Sequence, residues 1–201
     1  MSKFTKIPTN TFKEIGINAG VMLKDFTPSS PALDDEDILG ATSGGINITA
    51  VPSFTDYGED IDNCPKNTKE LKKTDSWEVK ASGTFVTMNT ALGKRLLAMA
   101  DVGTTDTTKV TPRVDLAAAD FSDLWFVGDY SDKTGATNGG FIAVHLINAL
   151  STGGFALQSS DKSKMKFAFE FTGHFSINAQ DTVPIEMYIK AGTDEAATGG
   201  G

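Results

Sequence analysis

Apolar and polar side chains alternate from residue 165 to residue 177, and this pattern constrains the fold more than any other feature. The apolar positions are Met165, Phe167, Phe169, Phe171, Phe175 and Ile177, with Gly173 among them, and the polar positions are Lys166, Glu170, Thr172, His174 and Ser176. Successive side chains of a β-strand point to opposite faces, so a period of two places every apolar residue on one face. At about 3.3 Å per residue, the pattern predicts a strand of about 43 Å with one buried face.

The same period recurs in four other segments, at 15–23, 46–50, 77–85 and 183–189. Two segments differ, because residues 124–127 and 141–146 are apolar on both faces. Strands of that kind are typical of positions covered on both sides. The polar, glycine-rich stretch 129–140 between them is typical of a hairpin tip.

One segment has helical rather than strand spacing, with apolar residues at Leu92, Leu96, Met99 and Ala100. We predict a helix over about 90–102, with Asn89 or Thr90 as the N-cap and Gly103 as the stop. Strands, one helix and further strands indicate a mainly β (α+β) fold, a β-sandwich of two packed antiparallel sheets with one flanking helix. Residues 1–190 are expected to form one domain, and 191–201 a flexible tail of small residues.

Charge and cysteine content narrow the functional classes. The formal net charge of the 201-residue chain is −8, which disfavours ordinary DNA binding because that affinity comes mainly from Lys and Arg on phosphates. The single cysteine, Cys64, excludes an internal disulfide and fits a reducing cytoplasm. Residues 1–10 carry no apolar core of a signal peptide, and no apolar run reaches membrane-spanning length.

Catalytic and cofactor motifs are missing from the sequence, so we expect neither an enzyme nor a cofactor. The histidines, His145 and His174, lie in predicted strands without a second ligand at metal spacing, and we interpret both as structural. Asp129, Asp132 and Asn138 provide oxygen ligands that suit calcium. The spacing is not that of an EF-hand, and an ordinary hairpin tip is the better explanation of these residues, so we expect no metal site.

A long charged segment at 52–75 is predicted to be an irregular loop. Its charge changes sign along its length, from Asp56, Glu59, Asp60 and Asp62 to Lys66, Lys69, Lys72 and Lys73. Loops of this length are uncommon without a function. The segment is either a solvated loop or a bipolar one whose two signs meet complementary patches on another copy of the chain.

Four stretches of sequence resemble the major tail tube proteins of long-tailed (siphovirus-like) bacteriophages. They are residues 38–46 (ILGATSGGI), 54–62 (FTDYGEDID), 125–132 (WFVGDYSD) and 139–155, which begins GGFIA and ends LSTGGF. The likeness spans roughly residues 12–190. It implies a β-sandwich with a flanking helix, sheets that join between subunits into a ring-shaped inner β-barrel, six-fold rings, and rings stacked into a hollow tube. The tube would enclose the tape-measure protein and let genomic DNA pass without specific binding.

The resemblance also implies partners and a location: further copies of the chain, the tape-measure protein, the tail terminator and the distal tail or baseplate proteins, in a virion tail assembled in the host bacterial cytoplasm. On the polar faces of the predicted strands, we expect the tube channel to be lined by Glu78, Lys80, Ser82, Thr84, Lys166, Glu170 and His174. Contacts between subunits or rings are expected at Asp56, Glu59, Asp60, Lys69, Lys72 and Lys73. Residues 55–74 are expected to be disordered before assembly.

Two other functions remain open at the level of sequence. One is a different virion component or the tube protein of a contractile injection system, which would share much of the fold. The other is a carbohydrate-binding β-sandwich, for which Trp77, Trp125 and Tyr57 are the available aromatic residues.

Overall fold

The computed structural model describes residue 4, residues 6–133 and residues 139–193. Its one α-helix in these ranges, α1, spans Thr90–Leu96, and short 3-10 turns occur at Thr11–Lys13, Lys69–Leu71 and Ala118–Asp120. The strands are β1 Gly16–Leu23, β2 Thr42–Asp56, β3 Lys72–Phe85, β4 Ala100–Val102, β5 Val110–Pro112, β6 Ser122–Tyr130, β7 Gly140–Ser151, β8 Ala156–Gln158, β9 Lys166–Gly173 and β10 Ile185–Lys190.

Eight strands form one large antiparallel sheet, and β4 and β5 form a small second sheet. The main order is β1-β6-β7-β9-β3-β2, with β10 paired to β7 and β8 paired to β9. The first two-thirds of β7 lies between β6 and β10, whereas its last residues pair with β9. A positive φ of 50° at Asn148 lies between these two pairings. β7 therefore connects two parts of the sheet that have different neighbours. The mainly β fold is confirmed.

Two apolar clusters cover opposite faces of β6 and β7. On one face, Leu124, Val144 and Leu146 pack with residues from β3, β9 and α1, namely Val79, Ala81, Phe85, Leu92, Leu96, Phe167, Phe169 and Phe171. On the other face, Trp125, Val127, Phe141 and Ala143 pack with Leu23 and Phe26. The prediction that 124–127 and 141–146 are covered on both faces is confirmed.

The alternating apolar and polar residues of 165–177 form a strand that is shorter than predicted. β9 ends at Gly173, and Phe167, Phe169 and Phe171 are buried as expected. Met165, Phe175 and Ile177 are exposed. Met165 precedes β9, and Phe175 and Ile177 lie beyond the last residues of β9 that are in register with β3 and β7, Gly173 and Thr172. The apolar period therefore continues beyond the pairing that would bury it.

The predicted helix begins where expected and ends early. The side-chain Oδ1 of Asn89 accepts a hydrogen bond from the Leu92 N–H at 2.8 Å, which is the geometry of an N-cap. The prediction that the helix continues to about 102 is wrong. Ala98 adopts a φ of 60°, and Ala100–Val102 forms β4 instead, so Gly103 is not the stop.

Candidate assembly surfaces

A β-hairpin built from β2 and β3 projects beyond the rest of the sheet. β9 pairs with β3 only from Val79 onward, whereas β2 and β3 pair from Thr42–Phe85 out to Asp56–Lys72. We call residues 51–78 the arm and residues 57–71 the arm tip. The prediction of an irregular loop over 52–75 is wrong at both ends, because 52–56 and 72–75 are paired strands. At about 3.3 Å per residue, the paired part of the arm extends roughly 20 Å.

The arm tip has its own internal structure. The carboxylate of Asp56 accepts hydrogen bonds from the backbone N–H groups of Gly58 at 2.9 Å and Asn67 at 2.8 Å. These two bonds lower the pKa of Asp56, since they favour its charged form. The Tyr57 N–H also donates to the Leu71 carbonyl at 3.1 Å. In the single chain, residues 55–74 thus form a hairpin with a hydrogen-bonded tip, and the expectation that they are disordered before assembly stays a prediction.

Apolar and cationic groups alternate on the two faces of the arm. The Lys72 ammonium lies 5.3 Å from the ring centroid of Phe54, and the Lys73 ammonium lies 5.8 Å from that of Tyr57. Neighbouring strand positions face opposite ways, so each face carries one such pair. Phe54 remains 53% exposed. The arm therefore presents apolar surface that a single chain leaves uncovered.

The six predicted contact residues all belong to the arm or its tip. Asp56 and Lys72 face each other across the ribbon at the base of the tip. Lys69 forms an exposed ion pair with Glu70 at 3.6 Å, and surface pairs of this kind contribute only about 0–1 kcal/mol. Glu59, Asp60 and Lys73 are exposed. The structure thus gathers these residues on one projecting element. Contact with another subunit stays a prediction.

Six of the seven predicted channel residues share one face of the β3–β9 pair. Lys80 lies opposite Thr172, Ser82 opposite Glu170 and Thr84 opposite Ala168. The Lys80 ammonium contacts Glu78 at 2.5 Å and Glu170 at 4.0 Å. Hydrogen bonding to Glu78 is the main cause that raises the pKa of Lys80. The opposite face of these strands is the core, so the polar face is left to solvent.

His174 differs from the other predicted channel residues, because it follows the end of β9. Its ring packs edge-on against Phe121, at 5.2 Å between centroids, and its Nδ1 lies 3.1 Å from the Asn148 carbonyl. Without it, the face contains two lysines and two glutamates, Lys80, Lys166, Glu78 and Glu170. The formal charges of these four residues therefore cancel.

His145 lies at the centre of a polar and aromatic cluster that the sequence did not indicate. Its Nε2 is 3.0 Å from an Asp123 carboxylate oxygen and its Nδ1 is 3.3 Å from one of Glu186. The ring stacks on Trp125 at 4.0 Å between centroids. The Tyr188 hydroxyl donates to Glu186 at 2.7 Å, and this bond, followed by that to His145, lowers the pKa of Glu186. The cluster joins β6, β7 and β10.

Two of the candidate calcium ligands, Asp129 and Asp132, accept hydrogen bonds from different neighbours. An Asp129 oxygen accepts from the Asn18 side chain at 2.7 Å, and an Asp132 oxygen accepts from the Ser131 hydroxyl at 2.9 Å. Asn138 lies outside the described residues. Within the described ranges, no group of three or more His, Cys, Asp or Glu side chains is arranged to hold a metal ion.

The aromatic residues considered for carbohydrate binding lie in three different surroundings. Trp125 is buried under the segment that follows β1, Trp77 packs at the margin of the large core cluster, and Tyr57 lies on the arm tip under Lys73. They do not form a shared platform for a sugar ring.

A scan against protein-family models matched no family, and a search of curated proteins found no match. None of the helices in the described ranges has the length and apolarity needed to span a membrane.

Proposed function

We propose that this chain is a structural subunit that polymerises as stacked rings into the hollow tail tube of a long-tailed bacteriophage. The arm is the observation that carries the proposal. It is a projecting two-stranded ribbon with exposed apolar side chains and charges of both signs, and it has no partner in its own sheet. Unpaired strand edges and uncovered apolar surface are features that proteins normally protect. Association with a second copy would protect both.

Open sheet edges support the same proposal. β10 pairs with β7 on one side only, and its side chains Met187 and Ile189 are 60% and 59% exposed. β2 is another long edge strand, since it pairs only with β3. In a ring, edges of neighbouring copies meet and the sheets close into an inner β-barrel, which removes the edges.

In this assembly, one layer of a β-sandwich consists of β1, β6, β10 and the first part of β7, and the other layer consists of the end of β7 with β9, β3 and β2. The large core cluster lies between the two layers. α1 flanks this core through Leu92 and Leu96. The polar face of β3 and β9 faces the channel. A surface with balanced charge attracts the phosphates of a passing DNA weakly, because net positive charge is what drives non-specific DNA binding.

Assembly in this form assigns no catalytic residue and no cofactor to the chain. Its other partners are the tape-measure protein inside the tube and the terminator and distal tail or baseplate proteins at the ends. The subunit is made in the host cytoplasm and ends in the virion tail.

Shortening the arm tests the proposal. Asp56 and Lys72 are opposite each other, so residues 57–71 can be replaced by Asn-Gly, a pair suited to a two-residue hairpin turn. The matched control shortens the hairpin between β4 and β5 by replacing residues 103–109 with Asn-Gly, since Val102 and Val110 also pair.

Electron microscopy and sedimentation of the purified proteins provide the readout. The parent chain and the control are expected to form tubes, and the arm variant is expected to remain a folded, soluble monomer or single ring. Normal tubes from the arm variant would refute the role of the arm. In electron micrographs of virions or particles that contain the chain, isolated surface knobs instead of tubes would favour a decoration protein, and a tube inside a contractile sheath would favour an injection system.

A further inference from the structure

The last turn of α1 contains a guanidinium group for which the described residues provide no anionic partner. Arg95 is half-buried, and its side chain donates a hydrogen bond to the Ser122 hydroxyl. Burial lowers the pKa of Arg95. No carboxylate pairs with it among the residues that the structure describes. A partly desolvated charge of this kind gains from an incoming anion more than an exposed one does.

Arg95 lines a small pocket that also contains an ammonium group and an apolar wall. The cavity has a volume of about 240 Å³, and its wall includes Lys94 and the methyl groups of Ala91, Ala98 and Ala119. Its one carboxylate is already engaged: Asp120 pairs with Arg113 and accepts from the Ala117 N–H at 2.8 Å. The lining of the pocket therefore combines small apolar groups with two cations.

The arm tip offers the complementary shape and charge. Ile61 is 51% exposed and lies between Asp60 and Asp62 in the sequence. Neither aspartate forms an ion pair within the described part of the chain. An isoleucine side chain fits a cavity of this size, and two flanking carboxylates match two cations.

We propose that the pocket formed by Lys94, Arg95 and the three alanines receives the arm tip of a second copy, with Ile61 inside and Asp60 and Asp62 against the cations. This inference rests on the proposed assembly through the arm and assigns the place on the neighbouring subunit where the arm ends. The other exposed acidic run, 34–36, is less suited, because its neighbour Asp37 pairs with Lys24 at 3.3 Å and ties that segment to its own chain.

Disulfide cross-linking tests this placement. Cys64 is the only cysteine and lies on the arm tip, three positions from Ile61. An Ala91→Cys variant puts a second thiol at the pocket, and an Ala156→Cys variant puts one on exposed β8 as the matched control. Each full-length protein is assembled, its tubes are verified by electron microscopy, and it is then oxidised mildly and run on a non-reducing gel.

We expect intermolecular disulfides at least 10-fold more abundant with Ala91→Cys than with Ala156→Cys. Adding Lys94→Glu is expected to reduce them several-fold while thermal unfolding of the unassembled subunit stays unchanged. Equal cross-linking of the two variants, or none with Ala91→Cys in verified tubes, would overturn the inference and leave the proposed function intact. A cross-link to Ala91→Cys from Leu33→Cys in a Cys64→Ser background would also overturn it, by identifying 34–36 as the occupant. Failure of the parent chain to form tubes would instead refute the proposed function.

Discussion

Truncating Leu96 to alanine tests whether α1 is an integral part of the core. Leu96 is fully buried in the large cluster. The helix end at this residue is also tied down, because the buried Ser151 hydroxyl donates to the Leu96 carbonyl at 3.0 Å. The backbone is therefore held in place, and the space left by the removed side chain cannot easily close.

The burial of Leu96 and its fixed backbone determine how much stability the substitution should remove. Leu→Ala at fully buried sites lowers the free energy of unfolding by about 2–5 kcal/mol, and the upper part of that range applies where the surroundings do not collapse. We expect about 3–4 kcal/mol here. For a domain of this size, 1 kcal/mol shifts the melting temperature by roughly 2–4 °C, so the shift should be about 6–16 °C.

Chemical denaturation of the unassembled subunit, monitored by circular dichroism, measures the change. Leu116→Ala serves as the matched control, since Leu116 is 47% exposed and should change the unfolding free energy by less than about 1 kcal/mol. A loss below about 0.5 kcal/mol for Leu96→Ala would show that the helix does not pack on the core. An unchanged denaturant slope would show that the unfolded state is the same in both variants.

Three further predictions concern single residues. Asn89→Ala removes the N-cap and should lower the free energy of unfolding by about 0.5–2 kcal/mol in thermal melts, with Asn89→Asp restoring most of it. Gly20→Ala should destabilise by more than about 1 kcal/mol, because φ is 65° there and a methyl group would lie 2.4 Å from a phenyl carbon of the adjacent strand. Tyr188 and His145 lower the pKa of Glu186, because both stabilise its charged carboxylate in the folded chain. The carboxylate therefore contributes its full stabilisation above about pH 4.5 and loses it as the pH falls further. Stability curves of the parent and Glu186→Gln should therefore converge in acid, and parallel curves would contradict the assigned contacts.

Strands that are buried on both faces were predictable from the sequence. Residues 124–127 are a continuous apolar run and 141–146 are interrupted only by His145, and runs of this kind are typical of segments covered on both sides. The start of α1 was also predictable, since Asn89 provides a side-chain acceptor at the required spacing. These signals are local, so one sequence is enough to detect them.

Interruptions of the alternation were harder to predict. The segment 15–23 reads as one continuous strand, yet Asn18 and Gly20 adopt positive φ and shift the pairing with β6. Beyond this bulge, Met22 faces one core cluster and Leu23 the other. Asn and Gly tolerate positive φ better than other residues, and their presence in a strand was the available signal.

The arm and the His145 cluster show two different limits of sequence reasoning. Pro52 and the charged residues of the arm are typical of loops, so the outer strands of the arm were predicted to be irregular. Proline is nevertheless acceptable on an edge strand, where its missing N–H breaks no pairing. The partners of His145 are 22 and 41 residues away. Only the pairing of β6, β7 and β10 brings them together, and no local pattern encodes that pairing.

β7 limits how the subunit can open, because it belongs to both parts of the sheet. Its amides and carbonyls bond to β6, β10 and β9, so the two parts of the sheet cannot separate without breaking this one strand. Its amide hydrogens should exchange with solvent at rates close to those of global unfolding. The paired residues of the arm lie outside that cooperative unit and should exchange much faster. A subunit built in this way can let its arm fray and re-form many times while the body stays folded.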